Sequence, residues 1–263
     1  MFPLSRKPTL AVWKFTSCDG CQLSILDLED ELIEISTQYD VSMFLEATRN
    51  QAPGPFDISL VEGSVSTPSE AARIVEIRKE SKILVTIGAC ATSGGIQALR
   101  NFTDVSEYAS MVYASPEYLD IMKTSEPIKH YVDVDYELYG CPVSKKVLLE
   151  FVASGLIGKS PRLPSSSVCM ECKSNGHTCL SVTEGAACLG PVTRSGCEAL
   201  CLSYDRPCFG CFGPKEYANL PSITEIYKNK NVATDELIRL YRTFNAHSEL
   251  LTRESKALEE KES

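Results

Sequence analysis

Twelve cysteines in 263 residues constrain this chain more than any other feature. Four are scattered through the first half, Cys18, Cys21, Cys90 and Cys141, and eight crowd between residues 169 and 211. In an oxidising compartment such a set forms disulfides, whereas a reducing cytosol leaves thiols for metal binding or redox chemistry. The opening residues, MFPLSRKPTLAVWKF, contain no apolar run of signal-peptide length and no twin arginine. No stretch of about 18 apolar residues follows, so no membrane partner is expected. The reading is a cytoplasmic chain whose thiols need a metal. Thirty-five acidic against 26 basic residues give a net charge of -9, which withholds the positive field that nucleic acid requires.

The two halves differ in pattern. In the first, short β-rich runs at Leu10 to Phe15, Val41 to Leu45, Phe56 to Val61, Lys82 to Ile87 and Tyr136 to Tyr139 alternate with helical spacing. One helix is predicted from Cys21 to Ser36 and another after Pro68, with Ala71, Ile74, Val75 and Ile77 on its apolar face. An irregular passage is expected from Asn101 to about Asp135, and a helix from Val143 to Ala153. A βαβ series of this kind predicts an α/β fold, a doubly wound parallel sheet of the flavodoxin type. Pro161, Pro164 and three consecutive serines then mark a linker, which sets expected domains at 1–158 and 159–263. The segment that follows is dense in Cys, Gly and Pro and lacks periodicity, so metal cross-links are expected to order it. Helical character returns after Thr234, and the charged end ALEEKES reads as frayed.

Cys18, Cys21, Cys90 and Cys141 each lie just past a predicted strand, the end at which open α/β sheets hold ligands. Four thiolates converging there suit a cubane cluster or a tetrahedral zinc. A lone CxxC before a helix also fits a thioredoxin-like redox motif, which leaves ten cysteines unexplained. The other eight, Cys169, Cys172, Cys179, Cys188, Cys197, Cys201, Cys208 and Cys211, make two sets of four, divided by chain order. Structural zinc competes for these sites, since CxxC pairs separated by a loop are its signature.

Taken in order, WKFTSCDGCQLS from Trp13, VEGS from Val61, GACATSGG from Gly88, GCP from Gly140, CLGP from Cys188 and PCFGC from Pro207 resemble the small subunit of nickel-iron hydrogenases. The resemblance implies a flavodoxin-like domain holding a proximal 4Fe-4S cluster and a loop-rich iron-sulfur domain holding two more. It assigns Cys18, Cys21, Cys90 and Cys141 to the proximal cluster, Cys169, Cys172, Cys179 and Cys188 to the distal one, and Cys197, Cys201, Cys208 and Cys211 to the medial one. The nickel-iron centre would belong to a large-subunit partner. Better-known periplasmic and membrane-bound members have a histidine where this chain has Cys169, and often no cysteine at the position of Cys201. All three clusters are therefore expected to be 4Fe-4S. Thiolate in place of imidazole lowers a cluster's potential, which suits a low-potential acceptor. The chain is similar to the cytoplasmic, bidirectional, NAD(P)-coupled group that includes the sulfhydrogenases, with iron-sulfur and flavin diaphorase subunits as further partners. A group that passes electrons to heterodisulfide reductase is an alternative. Complex I carries a homologous subunit, but with adjacent cysteines in place of CxxC and without the eight-cysteine segment.

Other residues invite competing readings. His177, between Cys172 and Cys179, reads as a loop histidine or a donor near a cluster sulfur, since two full sets leave no vacancy. Glu62 either orients backbone at the proximal site, contacts a partner, or is a loop carboxylate. Trp13 and Phe15 alternate on the first strand and read as core or as a buried subunit interface.

Overall fold

The computed structural model describes residues 6–261. The chain divides into two compact units, one up to Leu163 and one from Pro164 onward.

In the first unit the elements run β1 (Thr9–Lys14), α1 (Gly20–Leu26), α2 (Asp30–Gln38), β2 (Asp40–Phe44), β3 (Phe56–Glu62), α3 (Pro68–Glu80), β4 (Ser81–Ile87), α4 (Gly88–Ser93), α5 (Val105–Val112), β5 (Tyr136–Leu138) and α6 (Lys145–Leu156). The strands form one sheet in the order β2-β1-β3-β4-β5, and every pair is parallel. This is the flavodoxin-like order expected from the sequence, with its switch point between β1 and β3. Parallel strands bury both faces, and β3 is buried along its whole length. Leu10, Val12, Ile58, Leu60, Val85 and Ile87 face a core completed by Ile25, Leu28, Leu148 and Phe151. Ala11, Trp13, Val61 and Leu84 point the other way, onto Ile74 and Ile77 of α3. Trp13 and Phe15 are thus core residues, with the Arg73 guanidinium stacked 5.6 Å and 5.3 Å from their ring centres.

Three local expectations need correction. The helix predicted over Cys21 to Ser36 is two helices, because the chain turns at Glu29 (φ 51) through tight bonds from Leu28 N to Ile25 O and from Glu29 N to Leu26 O. The turn drives Leu28 into the core and leaves Leu23 outside, so the apolar spacing ran across a break. Val75 faces solvent, since Ile74 and Ile77 alone reach the sheet side of α3. The passage read as irregular contains α5, a helix with no buried residue, so packing left no apolar signature for it.

The second unit contains α7 (Val168–Ser174), α8 (Leu180–Thr183), α9 (Leu200–Ser203), α10 (Leu220–Asn229), α11 (Thr234–Arg242) and α12 (Glu249–Glu259). It has a conventional apolar core after all. Val168, Leu180, Leu189, Val192 and Leu202 from the cysteine loops pack with Leu220, Ile223, Tyr227, Leu237, Tyr241, Leu251 and Leu258. The loops supply one side of that core and the last three helices the other, which the loop sequence alone could not reveal. Much of the ALEEKES end is ordered in α12: Leu258 is buried and Glu259 pairs with Arg242. Its last two residues lie outside the described residues.

Candidate metal centres

The first centre is built by loops that leave the carboxyl ends of β1, β3, β4 and β5. Cys18 and Cys21 lie after β1, with Cys21 in the first turn of α1; Cys90 is in α4 after β4; Cys141 follows β5. Backbone bonds knit these loops: Ala89 N–H donates to the Gly140 carbonyl at 2.7 Å, and Val143 N–H points at Cys21 Sγ at 3.4 Å. Cys21 is buried, Cys90 half-buried, and Cys18 and Cys141 open to solvent. Burial pushes the Cys21 thiol up, with Glu62, Cys90 and Cys141 adding repulsion, and pushes Cys90 up to about 12, with Cys141 and Cys18 adding to the effect. Burial thus disfavours the thiolate at Cys21, Cys90 and Cys141 alike, and a cationic group among them would favour it.

Two glycines make the close approach possible. A Cβ at Gly88 (φ 84) would fall well inside contact distance of Cys21 Sγ, and one at Gly95 (φ 63) would stand 2.5 Å from Cys90 Sγ. Behind the sulfurs sits Glu62, 2% exposed at the end of β3. Its Oε1 accepts the Cys21 N–H at 3.0 Å and its Oε2 accepts the Gln22 side-chain amide at 2.7 Å. Burial raises the Glu62 carboxyl above the ordinary range, and these bonds oppose the shift. Of the readings open for Glu62, backbone orientation is the one its contacts support. Gln22 and Gln97, whose Oε1 lies 3.3 Å from Cys90 Sγ, carry no sequence signal that would have singled them out.

The eight remaining cysteines all lie in the second unit. Cys169 and Cys172 ride on α7, Cys179 precedes α8, and Cys188 follows in a loop. A Cβ at Gly190 would stand 3.3 Å from Cys169 Sγ and 3.5 Å from Cys188 Sγ, so residues 19 apart bring their sulfurs to one place. Burial pushes Cys169 up to about 11, and Cys188, Cys172 and Cys179 add repulsion. These four form one electrostatic group. Of the other four, Cys197 feels Cys201, whereas Cys208 feels Cys188 ahead of Cys211. Cys208 N–H donates to Cys188 Sγ at 3.2 Å, a bond between the two chain-order sets. Among the described residues no three His, Cys, Asp or Glu side chains close on a point as ligands of a single metal ion. His177 is half-buried, and its carbonyl accepts from Lys173 Nζ at 2.7 Å.

Side chains distant in sequence hold these loops. Tyr227 of α10, 1% exposed, accepts the Cys188 N–H at 2.9 Å and donates to the Cys188 carbonyl at 2.5 Å. Asn245 donates to the Gly210 carbonyl at 2.8 Å, between Cys208 and Cys211. Neither residue lies near a cysteine in the sequence, so no motif pointed to them. Glu171, which reaches the Cys197 loop, sits inside the CMEC motif and could have been noticed there.

The family described as the NADH ubiquinone oxidoreductase 20 kDa subunit matches residues 18–154, more than half of the chain. The chain belongs to this family. Within it, the relatives are hydrogenases. Over 89% of this chain and 98% of its own length, the delta subunit of sulfhydrogenase 2 from Pyrococcus furiosus is 33% identical. A component of the F420-non-reducing vhu hydrogenase of Methanocaldococcus jannaschii is 33% identical over 74% of this chain and 78% of its own. A solved NAD+-reducing [NiFe]-hydrogenase in the H2-reduced state superposes with a TM-score of 0.56 at 28% identity, over 60% of this chain and 96% of that one. This member of the 20 kDa subunit family is a nickel-iron hydrogenase subunit, an oxidoreductase component, as its cysteine motifs implied. The family match ends before the eight-cysteine segment, which lies outside its span.

Proposed function

We propose that this subunit is the electron relay of its hydrogenase. It would carry electrons between the nickel-iron site of a large-subunit partner and a flavin-containing, NAD(P)-reducing module, through three 4Fe-4S clusters. The observation that carries this reading is the convergence of four thiols from three strand ends on one small region lined by glycine. Four-iron clusters take four thiolates each, and twelve cysteines supply three such sets.

In this reading Cys18, Cys21, Cys90 and Cys141 hold the proximal cluster, Cys169, Cys172, Cys179 and Cys188 the distal, and Cys197, Cys201, Cys208 and Cys211 the medial. When bound, each cluster takes up and gives back one electron at a time. The protein's share is to hold, bury and tune it. Glu62 fixes the amide of Cys21, Gln97 faces Cys90, and Val143 N–H and Cys208 N–H point at cysteine sulfurs. Amides aimed at sulfur stabilise the added electron. NAD(P) as acceptor is supported by the NAD+-reducing structural relative. The chain has no helix among its described residues long and apolar enough to cross a membrane, which accords with a cytoplasmic complex.

Purified anaerobically, this subunit itself should hold about twelve irons per chain, apart from the iron of its partners. Cys18→Ser should abolish hydrogen-dependent reduction of NAD(P) and of dyes that accept from the relay, while the large subunit still incorporates nickel. Full activity in that variant, or about two zincs per chain and no visible absorbance, would sink the assignment.

A further inference from the structure

Glu171 stands on α7 between the ligands Cys169 and Cys172, and Asn175, one helical turn further on, caps that helix. Residues at i and i+4 share a helix face, so both can grip one neighbour. Glu171 Oε1 accepts the Gly196 N–H at 2.8 Å, and Asn175 Nδ2 donates to the Glu198 carbonyl at 3.0 Å. Between these two anchor points lies Cys197. The turn is left-handed at Glu198 (φ 56) and Ala199 (φ 57), a conformation that residues with a Cβ rarely adopt. Burial pushes the Cys197 thiol up and the backbone of Ala199 and Leu200 opposes that shift, while Leu200 N–H donates to the Cys197 carbonyl at 3.2 Å. The second carboxylate oxygen of Glu171, Oε2, lies 3.8 Å from the same sulfur.

Donors and a negative charge therefore meet at one ligand, with opposite effects on the group it holds. Amide donors stabilise added negative charge, whereas a carboxylate beside the sulfur opposes it. We propose that Glu171 is a positioning and potential-setting residue for the cluster held by Cys197: it anchors the donor turn and holds that cluster at a lower potential. The proposal rests on the cluster reading given above. Because Glu171 belongs to the helix that carries Cys169 and Cys172, it also ties two ligand sets together. No bond to Glu171 forms or breaks when an electron arrives; its charge acts through space.

The test uses the intact complex, with iron content and an EPR-monitored potentiometric titration as readouts. Glu171→Gln keeps an acceptor for Gly196 and removes the charge. It should retain full iron, and at a fixed potential the reduced-to-oxidised ratio of the cluster at Cys197 should rise about tenfold, about 59 mV for a one-electron couple. Asn175→Ala loosens the turn and keeps the charge, so it should leave that ratio within about twofold. Glu171→Ala removes anchor and charge together and should lose about four irons. Glu171→Gln with full iron and an unmoved potential overturns the charge role, as does an equal shift in Asn175→Ala. Glu171→Ala with full iron and a wild-type spectrum overturns the anchoring role. Wild-type protein that holds zinc, or no metal, refutes the cluster reading instead.

Discussion

Gly88 concentrates the demands of the first centre in one residue. Its φ of 84 is a conformation that a side chain strains, and the space beside it is already taken by Cys21 Sγ. Gly88→Ala should therefore displace the sulfur while leaving the sheet intact, lowering iron from about twelve to about eight per chain with unchanged far-ultraviolet circular dichroism. Iron at the wild-type level would contradict this. Tyr227 plays a different part, closing both the N–H and the carbonyl of Cys188 from a helix 39 positions away. Tyr227→Phe leaves two buried backbone groups without that partner, a cost of about 1–3 kcal/mol. It should release the iron of the Cys169 set first under chelator challenge. The glycine was legible in the motif GACATSGG, because tight approach to a cysteine needs a missing side chain. Tyr227 was not, because its partner is reached only through folding.

Among the elements, α12 departs most plainly from expectation, because the ALEEKES end read as frayed begins inside it. Its charged sequence suggested solvent, yet Leu251, Ser255 and Leu258 are buried against the rest of the second unit. Glu259 closes the end with a bidentate pair to Arg242, both contacts at 2.6 Å, and the hydrogen bond to Arg242 lowers the Glu259 carboxyl below its ordinary 4.5. A carboxyl depressed by folding stabilises above its unfolded value and loses that contribution as pH falls through its folded value. Half-exposed, the pair is worth about 0.5–1 kcal/mol. Glu259→Gln should thus speed hydrogen exchange of the α12 amides at neutral pH, and the difference from wild type should shrink below about pH 4.5. A difference that persists unchanged into acid would show that the pair is not its source. The strands were easier: Leu10, Val12 and Ile58 alternate or run together as buried parallel strands require. The break at Glu29 was harder, since a left-handed turn at a glutamate leaves no compositional trace.

At the scale of the whole molecule, loss of metal is expected to affect the two units to different degrees. The first has apolar cores on both faces of its sheet, and of its four cysteines Cys21 alone belongs to one. In the second, Cys172, Cys188 and Cys208 are members of the core itself. Chelating the iron should lower the unfolding temperature of the second unit more than that of the first, resolved as two calorimetric transitions. Equal shifts would mean that the packing of α10 to α12 sustains that unit without its metal. The fold of the first unit and the placing of Cys18, Cys21, Cys90 and Cys141 just past its strand ends could be read without coordinates, because a strand's pattern and the residue just beyond its end are neighbours along the chain. The chain-order grouping of the other eight cysteines rested on spacing alone. What needed the tertiary structure was every contact made across a long loop: Tyr227 to Cys188, Asn245 to Gly210, Glu171 to Gly196. A hydrogen bond of that kind is decided by where packing carries two backbones, and apolar spacing within either segment holds no record of the other.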